Sequence, residues 1–310
     1  MEKHNTNNIR TQYFNNSKAS RAMVREYTRD TQICVTLGDV ITTVDISNTA
    51  ALEILDGYTI TEQDRMVLDA IYSLYKSGLE VMTVDQIVKQ YTGNDKANIS
   101  KHTRDIIDSV IEKLSTIRVR IDCTDELNRH YTPKVAASAI FSGYVLPCTT
   151  MTVTSAKNGR TVKAVKILDT PPTHRYAERN GQMINVPAAL LQTAEHFKDT
   201  EESVVIKRYI VRRVAQIVAD NGLNSNRISL QWYDKTQQRI RGLLPELGYN
   251  LGSSPADRKK KARIVKIITG TLETLITQEY IAGYKIYRKG NSTNPSVPVS
   301  GFVIIRNRKA

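Results

Sequence analysis

The sequence predicts an α+β fold in which one structural unit occurs twice in tandem. Its 310 residues exceed the roughly 100 to 200 residues of a usual single domain. Two segments each show apolar residues at helical spacing, and in each the longest helical stretch is followed by two stretches of period two. Helices followed by a hairpin in this order are typical of a winged helix-turn-helix domain, so two such domains are expected.

Composition divides the chain into four segments. Residues 1–30 are rich in Asn, Arg, Lys and Ser and lack a sustained apolar period, which predicts a flexible N-terminal arm. Residues 31–170 are expected to form the first domain, with an extra hairpin, and residues 200–310 the second, basic domain. Between them, residues 171–199 begin with two prolines and a polar run, which is typical of a connection.

Capping boxes mark the first helices of the first domain. Thr61 with Asp64 and Thr83 with Gln86 each form such a box ahead of apolar residues at helical spacing. The other predicted elements are extended pieces at 33–44, a brief helix at 48–55, a long helix at 98–116, a hairpin of strands 118–122 and 135–139 joined by a polar turn at 124–132, and a second hairpin of strands 151–154 and 162–167.

The second domain is predicted to repeat this outline. Ser254 and Pro255 mark the cap and the first position of its longest helix. Pro187 is expected to open a bridging helix ahead of the domain. The other predicted elements are a helix at 200–222, a strand at 227–230, a less regular helix at 233–247, and strands at 281–288 and 299–306.

Positive charge is concentrated in the last third of the chain. Residues 1–200 contain 24 lysines and arginines against 23 acidic residues, whereas residues 201–310 contain 20 against 8. Such concentration favours a polyanionic partner, with solubility as the alternative explanation. Double-stranded DNA is the predicted partner. A membrane is not, because the chain has no apolar run of bilayer length and no basic amphipathic tail, and a cytoplasmic location is expected.

The candidate DNA-reading helix begins with six cations. A helix N-terminus already carries positive partial charge and free N–H groups, so cations there favour an anionic partner, with a solvated face as the alternative. Cations on or near the predicted wing are expected to contact phosphates. The helix residues are Arg258, Lys259, Lys260, Lys261, Arg263 and Lys266, and the wing residues are Lys285, Arg288, Lys289 and Arg306.

The first domain carries a weaker candidate surface. Lys101, His102 and Arg104 lie on its long helix, where three acidic residues follow and nearly cancel their charge. A DNA-binding helix and a plain surface helix therefore both stay open. This near-neutral domain would dock weakly on DNA or serve as a dimer or partner surface. The cations at 207–213 of the second domain are expected to lie on the outer face of their helix.

Enzymatic chemistry is not predicted. The five histidines are isolated, and Cys34, Cys123 and Cys148 lack the paired spacing of a zinc site, so the cysteines are expected to be reduced apolar fillers. No phosphate-binding glycine loop is present, and the acidic patch at 122–126 is typical of a loop and not of a metal-binding catalytic cluster. No catalytic residue, cofactor or metal ion is therefore expected.

Residues 58–306 resemble the replication initiator proteins of theta-replicating plasmids and related mobile elements, the iteron-binding class. The likeness lies in the domain order, in the helix at 207–218, in the basic helix start at 258–266 and in the turn at 279–284 that leads into the wing. The resemblance implies binding to repeated origin sites, opening of the adjacent duplex, recruitment of host replication proteins and a switch between dimer and monomer. It also implies that the second domain is the main sequence reader.

Two other functions stay open on the sequence. A transcriptional regulator of a mobile element would have the same fold. An accessory protein would hold a protein partner through its first domain and bind DNA nonspecifically.

Overall fold

Helices and small sheets alternate along the chain, which the computed structural model shows to be a mixed α+β protein. The structure describes residues 11–24, 32–46, 60–96, 99–129, 131–154, 156, 159, 161–219, 226–235 and 238–307. The chain divides into two units, Met1–Asn185 and Val186–Ala310. The brief helix predicted at 48–55 lies outside the described residues.

The first unit combines helices with three sheets. In chain order its elements are β1 (Thr11–Asn15), α1 (Lys18–Met23), β2 (Gln32–Leu37), β3 (Val40–Asp45), α2 (Glu62–Lys76), β4 (Val81–Thr83), α3 (Val84–Thr92), α4 (Lys101–Thr116), β5 (Arg118–Asp122), α5 (Thr124–Asn128), β6 (Ile140–Tyr144), β7 (Cys148–Thr154), β8 (Thr161–Ile167), α6 (Pro172–Arg179) and β9 (Met183–Pro187). The strand orders are β1-β9, β2-β3-β5-β6 and β4-β8-β7. Both predicted capping boxes are present, because Thr61 and Thr83 each accept a hydrogen bond from the N–H three residues ahead.

The hairpin that completes the β4 sheet is not the one predicted to follow the helices. β4, between α2 and α3, pairs with β8, and β7 lies at the edge beyond β8. β5 instead pairs with β3 and β6. The predicted hairpin of strands 118–122 and 135–139 was therefore wrong, and the hairpin predicted at 151–167 takes its place.

Residues 135–139 form no strand because α5 binds part of their backbone. Asn128 Oδ1 accepts hydrogen bonds from Val135 N and Ala136 N at 3.0 and 3.1 Å, and its Nδ2 donates to Ala136 O at 2.7 Å. These backbone groups cannot also pair in a ladder, so pairing with β5 begins only at Ile140. The predicted polar turn thus contains a helix that ties down the next segment.

Residues 11–24 form β1 and α1 and not a flexible arm. β1 pairs with β9, and Phe14 and Met23 are fully buried. Gln12 donates to Ser73 Oγ at 2.8 Å. Polar composition misled the prediction, because these polar groups are hydrogen-bonded inside the unit instead of being solvated. The rest of the predicted arm lies outside the described residues.

Residues 172–185 pack within the first unit, so the predicted connection at 171–199 was wrong over this part. His174 and Tyr176 on α6 are fully buried. His174 Nε2 lies 3.0 Å from Asp69 Oδ1, and the Tyr176 hydroxyl donates to Glu126 Oε2 at 2.6 Å. The polar run that suggested a connection supplies hydrogen-bond partners to a core.

The second unit repeats the strand order of the β4 sheet. Its elements are a 3-10 helix at Ala188–Leu191, α7 (Glu201–Ala219), β10 (Arg227–Ser229), β11 (Trp232–Asp234), β12 (Arg239–Arg241), α8 (Leu243–Glu246), α9 (Pro255–Thr277), β13 (Gly283–Arg288), a 3-10 helix at Lys289–Asn291, and β14 (Val299–Ile305). β10, β14 and β13 lie side by side in that order, as β4, β8 and β7 do. The helix predicted at 233–247 was wrong over most of its length, because β11 and β12 form a hairpin there.

Three cations of α7 face the interior, contrary to the expected outer face. Lys207, Arg208 and Arg212 are buried. Lys207 Nζ lies 2.6 Å from Asp199 Oδ1, and burial lowers the pKa of the Lys207 ammonium group. A buried charge is tolerated only where it is paired, so these residues hold α7 in place and do not present charge to an external anion.

The cysteines occupy three different environments. Cys123 is buried, and burial raises the pKa of its thiol. Cys148 is half-buried, and burial raises the pKa of its thiol to about 11. Cys34 is exposed on β2, so the expectation of an apolar filler was wrong for this residue.

Replacing Asp69 with Ala is expected to destabilise the first unit. Asp69 Oδ1 accepts from Asn15 N at 3.1 Å and contacts His174 Nε2 at 3.0 Å, with Asp69 and His174 fully buried. The loss leaves buried donors unsatisfied and should lower the free energy of unfolding by about 3 kcal/mol. Urea unfolding followed by circular dichroism measures this change. Asp105→Ala, on the exposed face of α4, is the control, and equal midpoints for the two variants would contradict the prediction.

Candidate nucleic-acid interface

The side chain of Ser254 caps the N-terminus of helix α9. Ser254 Oγ accepts a hydrogen bond from Asp257 N at 3.1 Å and donates to Asp257 Oδ2 at 2.7 Å. Gly252 N donates to the same carboxylate at 3.2 Å. Asp257 thus sits in the first turn, where the helix dipole stabilises a negative charge. The Asp257 carboxylate therefore already occupies the predicted anion site at the N-terminus of the helix. The cations that follow it attract an external anion only where their side chains are exposed.

The six predicted cations of α9 divide by exposure. Ile264 and Ile267 are buried, and Lys260 and Lys261 are half-buried. The exposed members, called the cationic stripe below, are Arg258, Lys259, Arg263 and Lys266. At about 1.5 Å of rise per residue, the stripe extends over roughly 12 Å of the helix. The small residue Ala262 lies within it, so a ligand surface can approach the helix backbone closely there.

Tyr249 and Glu202 hold two of the six cations. Lys260 Nζ lies 4.7 Å from the centroid of the Tyr249 ring, which is a cation–π contact. Glu202 Oε2 lies 2.6 Å from Arg263 Nη2, and Glu202 Oε1 accepts from the Tyr249 hydroxyl at 3.1 Å. Burial raises the pKa of Tyr249, so its hydroxyl remains a neutral donor. The Arg263 side chain is nevertheless 62% exposed.

The other three cations of the stripe are not compensated. Within the part of the chain that the structure describes, Arg258, Lys259 and Lys266 have no acidic partner. Arg258 and Lys259 are adjacent, within the screening length of about 10 Å in dilute salt, so they repel each other, and Lys266 adds positive charge about two helical turns further along the same face. A polyanion along this face would replace that repulsion with attraction.

The hairpin of β13 and β14 separates the four predicted wing cations. Lys285 and Arg288 lie on β13, Lys289 follows at the tip, and Arg306 follows β14 at the base. Lys285 and Lys289 are exposed, while Arg288 is half-buried and donates to Val297 O. The six residues of β13, at about 3.3 Å each, place base and tip roughly 20 Å apart. Three wing cations therefore belong to the strand and tip, and Arg306 does not.

In the first unit, only two of the three predicted contact residues are exposed. Lys101 and His102 lie open at the start of α4. Arg104 Nε and Nη2 donate to the two carboxylate oxygens of Asp85 at 2.6 and 3.0 Å. This bidentate pair ties α4 to α3, so the Arg104 charge is offset by Asp85. The same face of the unit also exposes carboxylates, and its charge remains mixed.

The β11–β12 hairpin, which was not predicted, exposes three large apolar residues. Trp232, Tyr233 and Ile240 are 48%, 58% and 48% exposed. The signal in the sequence is the aromatic pair of Trp-Tyr-Asp and the period-two alternation of Arg-Ile-Arg, which flank a polar turn. The leucines at 243–247 obscured it, because they extend the apolar pattern at helical spacing.

The described residues offer neither a metal-binding cluster nor a membrane-spanning helix. No group of three or more His, Cys, Asp or Glu side chains is placed to hold a metal ion. No helix in this part of the chain is long and apolar enough to cross a bilayer.

Two solved structures resemble this chain along most of its length. Both are crystal structures of domains 2 and 3 of RctB, one of them a selenomethionine derivative. That one has a TM-score of 0.42 and 14% identity and covers 92% of this chain and 94% of its own. The other has a TM-score of 0.43 and 12% identity and covers 93% and 96%. No protein family and no curated protein matches the sequence.

Replacing Ser254 with Ala is expected to weaken the start of α9. The substitution removes the hydroxyl that caps Asp257 N, and loss of such a cap costs about 1 kcal/mol of unfolding free energy. Urea unfolding followed by circular dichroism measures the change. The neighbouring Ser253→Ala is the matched control, since Ser253 lies before the cap and is exposed. Equal loss in both variants would show that Ser254 does not act as the cap.

Proposed function

We propose that this protein is a sequence-specific double-stranded DNA-binding protein that acts by binding, without a catalytic step of its own. The observation that carries the proposal is the cationic stripe of α9, whose charges are exposed while the opposite face of the helix is buried. A helix held in this way fits the major groove, where its exposed donors reach base edges and phosphates.

We propose further that each unit is a winged-helix domain. In the first unit α2, α3 and α4 precede the β7–β8 hairpin, and in the second α7, α8 and α9 precede the β13–β14 hairpin. In each unit the strand that follows the first of these three helices pairs with the last strand of the hairpin. This pairing fixes the hairpin against the helices. A reading helix beside a hairpin that contacts the DNA backbone is the docking arrangement of helix-turn-helix proteins with wings.

Charge compensation supports the second unit as the main reader. Arg258, Lys259 and Lys266 are open to an anion, and Lys285 and Lys289 extend positive charge along the adjoining hairpin. In the first unit, the Asp85 pair offsets Arg104, so that unit contributes less electrostatic attraction. Weak docking of the first unit on DNA or a contact with a second copy of the chain is compatible with this division.

We propose replication initiation at the origin of a plasmid or mobile element as the biological role, in the cytoplasm and with host replication proteins as further partners. Support comes from the likeness of residues 58–306 to iteron-binding initiators. Selection of sites from a random duplex pool, mapped onto the DNA that encodes the protein, tests the role. Direct repeats beside an A·T-rich stretch are expected, whereas one inverted repeat over a promoter would favour a transcriptional regulator.

Removing two cations of the stripe should weaken DNA binding and reduce its salt dependence. In the double variant Lys259→Ala and Lys266→Ala, each lost phosphate contact makes the negative slope of log affinity against log salt less steep by about 0.9. Binding of the selected duplex is measured by fluorescence anisotropy from low to physiological salt.

The matched control for this variant removes two exposed lysines from the first unit. Lys96→Ala with Lys134→Ala changes the net charge equally and should leave the slope unchanged. Equal slopes for the stripe variant and the wild type would show that α9 is not the DNA-binding helix. Equal competition by selected and random duplexes would favour a nonspecific accessory protein.

A further inference from the structure

The β11–β12 hairpin presents an open apolar face. Cross-strand neighbours share one face of a hairpin, and Tyr233 lies opposite Ile240. On the other face, Asp234 Oδ2 lies 2.9 Å from Arg241 Nε. Tyr233 and Ile240 are 58% and 48% exposed, so the described residues leave their face uncovered. Apolar side chains held in this way mark a surface that another molecule covers.

The hairpin is fixed at its base and cannot swing freely. Gly242 ends it with φ of 119°, and a Cβ at this position would lie 2.8 Å from Leu230 O. Leu244 N donates to the same carbonyl oxygen at 2.9 Å. Leu230 and Leu244 are both buried. Because the two ends of the hairpin meet at a buried base, its direction is set by the fold of the unit.

The hairpin leaves the sheet at the end where the wing tip lies. Arg227 is opposite Val303, and Leu230 N donates to Ser300 O at 2.8 Å, so β10 runs toward the start of β14. The start of β14 is also where the wing loop returns from Lys289. The β11–β12 hairpin and the wing tip therefore project from the same end of the three-stranded sheet.

The charges at this end of the unit indicate which kind of molecule covers the apolar face. Lys235 is exposed beside the hairpin turn, and the wing tip adds Lys289. Asp234, the acidic residue of the hairpin, is already paired with Arg241. A second copy of the chain would bring the same positive charges face to face, which is unfavourable, whereas a phosphate backbone would be attracted.

Resting on the proposed DNA-binding function, we propose that this hairpin is a second DNA contact. Tyr233 and Ile240 lie against the minor groove of the duplex next to the segment that α9 reads, and Lys235 reaches a phosphate. Apolar side chains bind there by contacting sugars and partly entering base steps, which favours duplexes that deform easily. The hairpin thereby extends the bound site beyond the major-groove contact.

Duplex length tests this contact. Two forms of the selected duplex are compared, one cut at the edges of the α9 site and one extended by about one helical turn on each side. The wild type should bind the extended form roughly tenfold more tightly, which corresponds to about 1.4 kcal/mol. The double variant Tyr233→Ser and Ile240→Ser should lose this gain, together with hydroxyl-radical protection of the flanking sugars.

Matched variants separate the contact from general effects of exposed apolar residues. Tyr131→Ser with Ile41→Ser removes the same residue types from exposed positions of the first unit and should keep the gain. Lys235→Glu, a charge reversal at an exposed position that leaves the hairpin fold intact, should lose part of the gain. Thermal unfolding by circular dichroism verifies that each variant is folded.

An equal gain in the wild type and in the Tyr233 and Ile240 variant overturns the hairpin contact, even where the Lys259 and Lys266 variant loses binding. Failure of the wild type to select any duplex overturns the proposed function instead. Loss of self-association in the hairpin variant with an unchanged gain would assign the apolar face to a second copy of the chain. If the hairpin variant loses affinity only for single-stranded DNA, the apolar face would instead be assigned to an opened strand. Either result overturns the minor-groove contact.

Discussion

Close approach of β10 and β13 to the central strand β14 is the constraint on which the second unit depends. A Cβ at Gly301 would lie 2.3 Å from Ile228 O and 2.5 Å from the Tyr287 hydroxyl, so only glycine lets the three strands meet here. Beside it, Ser229 Oγ and the Tyr287 hydroxyl are 2.6 Å apart in a hydrogen bond. This hydrogen bond joins β10, which leads into the β11–β12 hairpin, to β13, which leads to the wing tip. The distance between the hairpin and the wing tip is therefore fixed.

Lysine and arginine serve two opposite purposes in this unit. On α7, Lys207, Arg208 and Arg212 are buried, and Asp199 compensates Lys207 at 2.6 Å, so their charge contributes to the interior of the unit. On α9 the four cations of the cationic stripe are exposed, and three of them, Arg258, Lys259 and Lys266, have no acidic partner among the described residues, so their charge is available to a ligand. Net charge along the sequence does not separate the two cases, since only burial and pairing distinguish them. The same distinction separates two neighbours on α9, because Lys260 is half-buried over the Tyr249 ring and Lys259 is exposed.

Local signals placed the starts of the capped helices, and they did not indicate which strands pair over long distances in the sequence. The caps at Thr61, Thr83 and Ser254 are set by residues three positions apart, so the sequence alone placed these helix starts. The alternation at 118–122 was also correct as a strand, but its partners lie on β3 and β6, which no local pattern encodes. Polar stretches were misjudged for a related reason. Residues 11–24 and 172–185 look solvated until their buried hydrogen-bond partners are known. For the candidate site, the sequence supplied the cations and could not supply their exposure.

The pairing of β1 with β9 has a consequence for synthesis on the ribosome. The first strand described in the chain has its partner at Met183–Pro187, so that sheet can form only after nearly the whole first unit has emerged. Contacts so distant in sequence close slowly, because the entropy of a long loop opposes them. Until then the parts of β1 and α1 that α6 and β9 cover remain open, and the nascent chain exposes surface that chaperones recognise. In the second unit, the three-stranded sheet of β10, β14 and β13 forms within residues 227–305, a much shorter stretch of chain.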